Sequence, residues 1–479
     1  MTDVVERADT LRRTGAAVLA LGASELLGKV ATLLMFLILA RVLGVAEFGV
    51  VSFGLSLGLL LAVAPSLGLD SRLVQLGSSR PDLLDRSYGA LVAIRVLLSA
   101  AVIAATCAVV VPTMGARSGA TVVLLVASGL VDTVTDASRA ACGALQRQQF
   151  AAVVLVVQRF ATLALTAAAV LTTRSVALAA LAYLVGTSVG VLGMHVAARR
   201  AGARLVVHGS RAEAKLLLEA APVMGAGAVA AMGVFRIDSA LIGVLIGTVA
   251  VGVYGAGYRL FETIVFVSWT LSRAYMPVIA RRPDDPEHVR TWARRALVVV
   301  CAVYLPYGVV IALRGDDVVR LLFGPEYVHH GVLLGLAAAP LLFGITHLGS
   351  CVLLALRPDP VVLLASVVAL TLNIAMNLVL IPVWGITAAA IATCAAFLVQ
   401  ATILMRALTR ITGSIASPRA IGAVLVGSVC AGAVAHAVAD VVLAVPASAV
   451  TFLVVWAVAG RVLDPGAPGL RSLLRGADA

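Results

Sequence analysis

Fourteen apolar runs, each close to the length needed to cross a bilayer, follow one another along almost the whole chain with only short polar turns between them. A helix rising about 1.5 Å per residue needs roughly 20 apolar residues to traverse about 30 Å of hydrocarbon. Lipid offers no hydrogen-bond partner to an open backbone, so such runs must be helical. They fall at 15–40, 48–69, 88–111, 120–143, 151–171, 176–196 and 221–246 in one half, and at 251–277, 296–313, 332–354, 361–381, 386–405, 421–438 and 441–458 in the other. The predicted fold class is therefore all-α, a polytopic membrane protein of about fourteen transmembrane helices. With 61% hydrophobic and 13% charged residues, the chain is too apolar for a water-facing domain and leaves no room for a large one. The first run is longer than a signal-peptide core and leads straight into further spans, so it reads as a retained helix.

Basic residues set the orientation, because cytoplasmic loops keep their positive charge during insertion. With the N-terminus in the cytoplasm, 25 of the 36 Lys and Arg residues fall on the inner side and five on the outer. Both ends are then cytoplasmic, and the net charge of +12 is a topology signal that calls for no nucleic-acid site. Cys107, Cys142, Cys301, Cys351, Cys394 and Cys430 all lie in apolar segments without a CxxC pair, and read as small core residues. No cofactor is expected beyond a Na⁺ or H⁺ that would couple to transport.

The two halves repeat. LARVLGVAEFGVVSFG matches LIGVLIGTVAVGVYG, with Gly49 opposite Gly252, and Arg80-Pro81-Asp82 matches Arg282-Pro283-Asp284. The offset of about 202 residues amounts to six spans, an even number, which preserves orientation. Parallel repeats of this kind build two lobes around a central cavity. The expected division is 1–210 for spans one to six, 211–410 for spans seven to twelve, and 411–479 for the last two spans and a cytoplasmic tail.

Ionisable groups inside the runs are the functional signal, since each costs about 2.5–3.5 kcal/mol at a helix centre unless it finds a partner or water. Span one carries Glu25 and Lys29 on a polar stripe, span three Arg95, span four Asp132, Asp136 and Arg139, and span five Arg159. Span seven carries Arg236 and Asp238, and span eight Arg259 and Glu262. Lys29, Arg95, Arg159, Arg236 and Arg259 are the candidate binding groups, because a guanidinium stays charged when desolvated and its fork matches phosphate oxygens. Glu25, Asp132, Asp136, Asp238 and Glu262 are the candidate ion-coupling carboxylates. The competing reading is mutual neutralisation: Glu25 and Lys29 are four residues apart and Arg139 follows Asp136 by three, both in reach along a helix. Arg236 and Asp238 are two apart and point to different faces. Pro65, Pro222, Pro277, Pro306 and Pro340 lie within or beside spans, where they free backbone carbonyls and permit kinks.

The stretch LLMFLILARVLGVAEFGVVSFGLSLGLLLAVAPSLGLDSRLVQ resembles the opening of bacterial polysaccharide-biosynthesis membrane proteins, the O-antigen and exopolysaccharide flippases. DSALIGVLIGTVAVGVYGAGYRLFETIVFVSWTLSRAYMPVIAR resembles their seventh and eighth spans and those of the lipid II flippase, and LFGPEYVHHGVLLGLAA resembles the segment before their tenth. The resemblance implies the multidrug/oligosaccharidyl-lipid/polysaccharide exporter superfamily, with two lobes and alternating access. It also implies a cavity for a sugar-pyrophosphate head whose polyprenyl tail stays in lipid. By position, Arg259 in YRLFE is similar to a cavity arginine of lipid II flippases, and Lys29 approximates a span-one arginine. The implied function is translocation of a polyprenyl-pyrophosphate-linked oligosaccharide across the cytoplasmic membrane for cell-surface polysaccharide, with membrane lipids, polymerase and glycosyltransferases as partners. A cation-coupled multidrug exporter of the same superfamily is the alternative, although six basic against five acidic cavity groups do not favour it. A membrane polysaccharide polymerase is a third reading, disfavoured by short outer loops; the chain is expected not to be an enzyme.

Overall fold

A computed structural model describes the backbone of residues 2–207, 211–219, 221–356 and 359–463; the side chains of residues 2–25, 223, 224 and 463 lie outside the described residues. No strand occurs among the described residues, and thirteen helices are long and apolar enough to cross a membrane. The chain gathers into two compact units, Met1–Gly252 and Val253–Ala479.

The first unit opens with α1 (Thr2–Leu61), α2 (Val63–Ser66), α3 (Leu69–Ser79), α4 (Leu84–Met114) and α5 (Ala116–Ala144). It continues with α6 (Gln148–Thr173), α7 (Val176–Ala201), the short α8 (Arg211–Leu218) and α9 (Ala221–Leu245). The 41 apolar residues from Leu26 to Ser66 would extend about 60 Å as one straight helix, twice the hydrocarbon thickness. They do not stay straight. Gly44 adopts φ 72° and ψ 174°, a conformation open to glycine, and the rings of Phe36 and Phe48 meet at 6.3 Å. Twelve residues along a continuous helix would part them by about 18 Å, so the chain reverses at Gly44. One long helical element thus supplies two of the fourteen predicted spans.

Span two departs from expectation in a second way. The continuous helix predicted over 48–69 ends at Leu61, because Pro65 cannot donate to the Leu61 carbonyl, and it breaks again where Leu67 (φ 43°) and Gly68 (φ 68°) are both left-handed. Small residues bring the neighbouring helices to backbone contact. Gly58 on α1 faces Gly129 on α5, and Gly186 on α7 faces Thr162 on α6. The repeat-related glycines also meet: a Cβ on Gly252 would lie 3.1 Å from Gly49 Cα, and one on Gly49 would overlap the Thr248 carbonyl.

The second unit holds most of α10 (Thr248–Ile279), then α11 (Pro286–Leu322), α12 (His330–Leu336) and α13 (Ala339–Leu356). It closes with α14 (Pro360–Trp384), α15 (Ile386–Thr412), α16 (Pro418–Ala437) and α17 (Val441–Leu463). The predicted tenth span is α12 and α13 together, broken because Pro340 leaves the Leu336 carbonyl without its helical donor. Asp285 and Asp359 start α11 and α14 by accepting from backbone amides, each followed by proline at the first helical position. Arg314 on α11 ends α16: its guanidinium donates to the carbonyls of Ala435 (3.1 Å), Val438 (2.7 Å) and Ala439 (2.6 Å).

Candidate functional site

In the first unit the charged residues of three spans come together. α5 presents Asp132, Asp136 and Arg139 at spacings of four and three, which a helix stacks on one face. Arg139 pairs with Asp136 at 2.8 Å along the helix. Asp132 looks across to α6 instead, accepting 2.7 Å from Gln158 Nε2 on one oxygen and lying 4.0 Å from Arg159 Nη2 with the other. Gln158 has room to do this because Gly190 on α7 has no side chain; a Cβ there would overlap the Gln158 amide. Arg159 also hydrogen-bonds Tyr183 on α7. α1 borders the group through Gly28, where a Cβ would sit 3.5 Å from Arg159 Cγ, and Lys29 follows as the next residue.

These charges are in apolar helices and still accessible. Arg159 and Asp132 are 35% and 30% exposed, Arg139 and Asp136 49% and 39%. Part of each group is therefore left uncovered by protein atoms, open to a ligand that enters beside it. The 4.0 Å separation of Arg159 from Asp132 is loose for an ion pair, so the guanidinium retains donors for an incoming anion.

Arg95, expected among the binding groups, sits elsewhere. It is wholly buried, donates 2.7 Å to Asp70 on α3 and donates its other terminal nitrogen to the Thr133 carbonyl. Its role in this arrangement is to tie α3 to α4 and α5. Asp70 lies between the membrane-crossing segments, and burial pushes its carboxyl above the ordinary aspartate range while the Arg95 guanidinium pulls only partly the other way.

Of the remaining predicted residues, Arg236 and Asp238 lie on α9, Arg259 and Glu262 on α10, and Glu25 on α1. On α9, Asp238 is fully buried and accepts 2.7 Å from the Ser239 amide, while the Arg236 guanidinium lies 5.6 Å from the Phe235 ring centroid. In the second unit, Arg259 closes onto Glu262 one turn along α10, and both are nearly buried. Tyr307 caps that turn by donating 2.5 Å to the Leu260 carbonyl. The side chain of Glu25 lies outside the described residues. On α14, Asn377 Nδ2 donates 2.9 Å to both the backbone carbonyl and the side-chain oxygen of Asn373, one turn before it.

Sequence reading passed over Asp70, Gln158 and Tyr183. Asp70 follows a Pro-Ser-Leu-Gly turn signal at the end of an apolar run, where an acid looks solvated. Gln158 precedes Arg159 inside an apolar run, and that polar pair was the available signal. Nothing local distinguishes Tyr183 from any other interfacial tyrosine.

Residues 38–330 match the profile of a family described as polysaccharide biosynthesis protein. A Haloferax volcanii protein named Probable flippase AglR is 28% identical over 202 residues, which are 40% of this chain and 41% of that protein. The chain thus aligns with about two fifths of that relative's length. The solved structure of lipid II flippase MurJ in an inward closed conformation superposes with a TM-score of 0.76, covering 95% of this chain and 99% of that one at 11% identity. An inward-facing multidrug resistance MATE family transporter of the MOP superfamily gives a TM-score of 0.65 over 81% of this chain and 96% of its own, at 14% identity. At such identities the likeness is one of fold, a membrane-embedded two-lobed helical architecture.

Proposed function

Because the chain belongs to the polysaccharide biosynthesis protein family, we propose that it is a flippase carrying a polyprenyl-pyrophosphate-linked oligosaccharide across the cytoplasmic membrane by alternating access. In this reading both termini face the cytoplasm, the glycan serves the cell surface, and glycosyltransferases and a polymerase act before and after it. The observation that carries the proposal is Arg159: a guanidinium inside an apolar bundle, one-third exposed, held by Tyr183 and only loosely by Asp132. A diphosphate offers that fork more negative charge than one carboxylate does, and the low surrounding dielectric strengthens the contact. Lys29 follows Gly28 on the helix that borders Arg159 and is the proposed second cation for the head group. Arg236 and Arg259 are proposed to meet the head group at other stages of transport. The acids Asp132 and Asp136 offset the charges of Arg159 and Arg139 when the anion leaves, and are the proposed places for a coupling cation, with Glu25, Asp238 and Glu262 as further candidates.

The test is translocation of a fluorescent polyprenyl-pyrophosphate oligosaccharide in proteoliposomes. Arg159→Ala should lower the initial rate at least tenfold with folding intact, and Arg159→Lys should recover only part of it, because an ammonium cannot donate two parallel bonds. Full transport by Arg159→Ala would defeat the proposal. The carboxylates on α5 and the fold shared with multidrug exporters also give the second reading content. Export of an organic cation would depend on Asp136 and survive loss of Arg159.

A further inference from the structure

Beside the charged groups of the first unit sits one neutral residue whose burial packing alone does not explain. Gln158 on α6 is 1% exposed, and its amide is fixed from three sides. Nε2 donates 2.7 Å to Asp132 Oδ1 on α5 and lies 3.5 Å from the Thr187 carbonyl on α7, while the missing side chain of Gly190 leaves the space that the amide fills. Both neighbours of Nε2 are acceptors, so the amide cannot turn over without setting its oxygen against a carboxylate and a carbonyl. Oε1 has no partner among the described residues, and an unpaired buried oxygen is unfavourable. A leucine would fill much the same space without that cost.

What the glutamine adds is visible in the ion pairs. Arg95 meets Asp70 at 2.7 Å, Arg139 meets Asp136 at 2.8 Å and Arg314 meets Asp317 at 2.8 Å. Arg159 and Asp132, on the adjoining helices α6 and α5, stop at 4.0 Å. Asp132 differs from those other carboxylates in giving one oxygen to a neutral amide. Coulomb attraction varies as the inverse of separation, so closure from 4.0 to 2.8 Å would strengthen it about 1.4-fold (4.0/2.8) and engage the guanidinium directly. Asp132 is therefore a tethered anion held one short step from contact with Arg159, and it competes with any anion that enters.

We propose that Gln158 is a positioning residue, which holds Asp132 off Arg159 and thereby sets how tightly the site takes a diphosphate. The inference rests on the reading of Arg159 as the group that meets the lipid's pyrophosphate. With Gln158 in place, the guanidinium keeps donors for the ligand, and the carboxylate close by keeps the bound anion from being held too tightly to leave. Without it, Asp132 swings to Arg159 and occupies the fork.

The experiment titrates farnesyl pyrophosphate, a short polyprenyl diphosphate, into the purified full-length protein in phosphatidylcholine nanodiscs, with calorimetry reading the Kd. Gln158→Leu should raise the Kd about fivefold or more, and Gly190→Ala, whose Cβ would lie 2.3 Å from the Gln158 amide carbon, should do the same. Asp132→Asn should lower the Kd about threefold or more, because asparagine still accepts from Gln158 and only the competing charge is lost. In the Asp132→Asn background, Gln158→Leu should change the Kd by less than about twofold, since no carboxylate remains to swing. A packing role predicts the same loss in both backgrounds, and that result would overturn the inference. So would an Asp132→Asn variant that binds no tighter than wild type, an arm that holds even where Gln158→Leu does not assemble. Arg159→Ala separates the two levels. Binding lost there, with the Gln158 and Asp132 variants unchanged, removes the positioning role alone, whereas binding unchanged in Arg159→Ala removes the reading of the site and this inference with it.

Discussion

Arg95 and Arg159 are both arginines set inside apolar runs, and the structure gives them different roles through what each touches. Arg95 has no exposure and gives its terminal nitrogens to Asp70 and the Thr133 carbonyl, whereas Arg159 keeps a third of its surface and a loose partner. Removing Arg95 leaves the Thr133 carbonyl and a part-exposed Asp70 without their donor and opens a hole the size of a buried side chain, a cost of about 1–3 kcal/mol. Arg95→Ala should therefore fail as a folding variant, lowering the thermal unfolding midpoint in detergent and the yield of monodisperse protein, while Arg159→Ala keeps both. Asp70 adds a pH signature. Its folded-state pKa is raised above the usual 3.8, so its contribution to stability is fully present below the unfolded value and is lost as pH rises through the folded one. Asparagine does not titrate, so the midpoint of the wild-type protein measured against Asp70→Asn should move in favour of wild type as pH falls from 7 toward 4. A difference that stays flat, or grows toward alkaline pH, contradicts the assignment.

Helix packing in both units depends on places where a side chain is missing or a single side chain ends a helix. A Cβ at Gly49 would overlap the Thr248 carbonyl, a backbone atom that cannot rotate away, whereas one at Gly422 meets nothing within 4 Å. Gly49→Ala should thus lower the unfolding midpoint by several degrees, with a cost of about 1–3 kcal/mol, while Gly422→Ala is neutral or slightly stabilising. Arg314 ends α16 with three carbonyl contacts and is itself held by Asp317 at 2.8 Å. Arg314→Ala leaves those carbonyls unsatisfied and should cost about 2 kcal/mol, seen as faster amide exchange over the last turn of α16; Arg314→Lys should recover part of it. The spans themselves were legible because hydropathy is a local property and lipid demands it over 20 residues at a time. The break at Leu67–Gly68 was hidden because its turn signal sits in residues apolar enough to continue the run. The Arg95–Asp70 pair and the Gln158 bridge to Asp132 were hidden for another reason: they join residues about 25 positions apart, and no periodicity encodes which face of one helix meets which face of another.

Across the whole molecule, one conformational detail decides the topology. Thirteen described helices are long enough to cross a membrane, an odd number that would put the two ends of the chain on opposite sides. The reversal at Gly44, shown by the meeting of Phe36 with Phe48, turns the first of them into two crossings and the total into fourteen. Counted on an expected topology of fourteen crossings with both ends inside, 25 basic residues fall on the inner side and five on the outer, the bias that retention of positive charge predicts. A one-span error would exchange inner and outer loops for everything downstream, placing the Arg281, Arg282, Arg290, Arg294 and Arg295 segment outside against the direction in which such charge is retained. A fluorescent protein that matures only in the cytoplasm should therefore light up at either end of the chain. A phosphatase active only outside should report from an insertion after Gly44 and stay silent between Arg282 and Pro286. Phosphatase activity at the C-terminus with fluorescence at the N-terminus would mean an odd number of crossings, and would remove the even-numbered repeat on which two similarly oriented lobes depend.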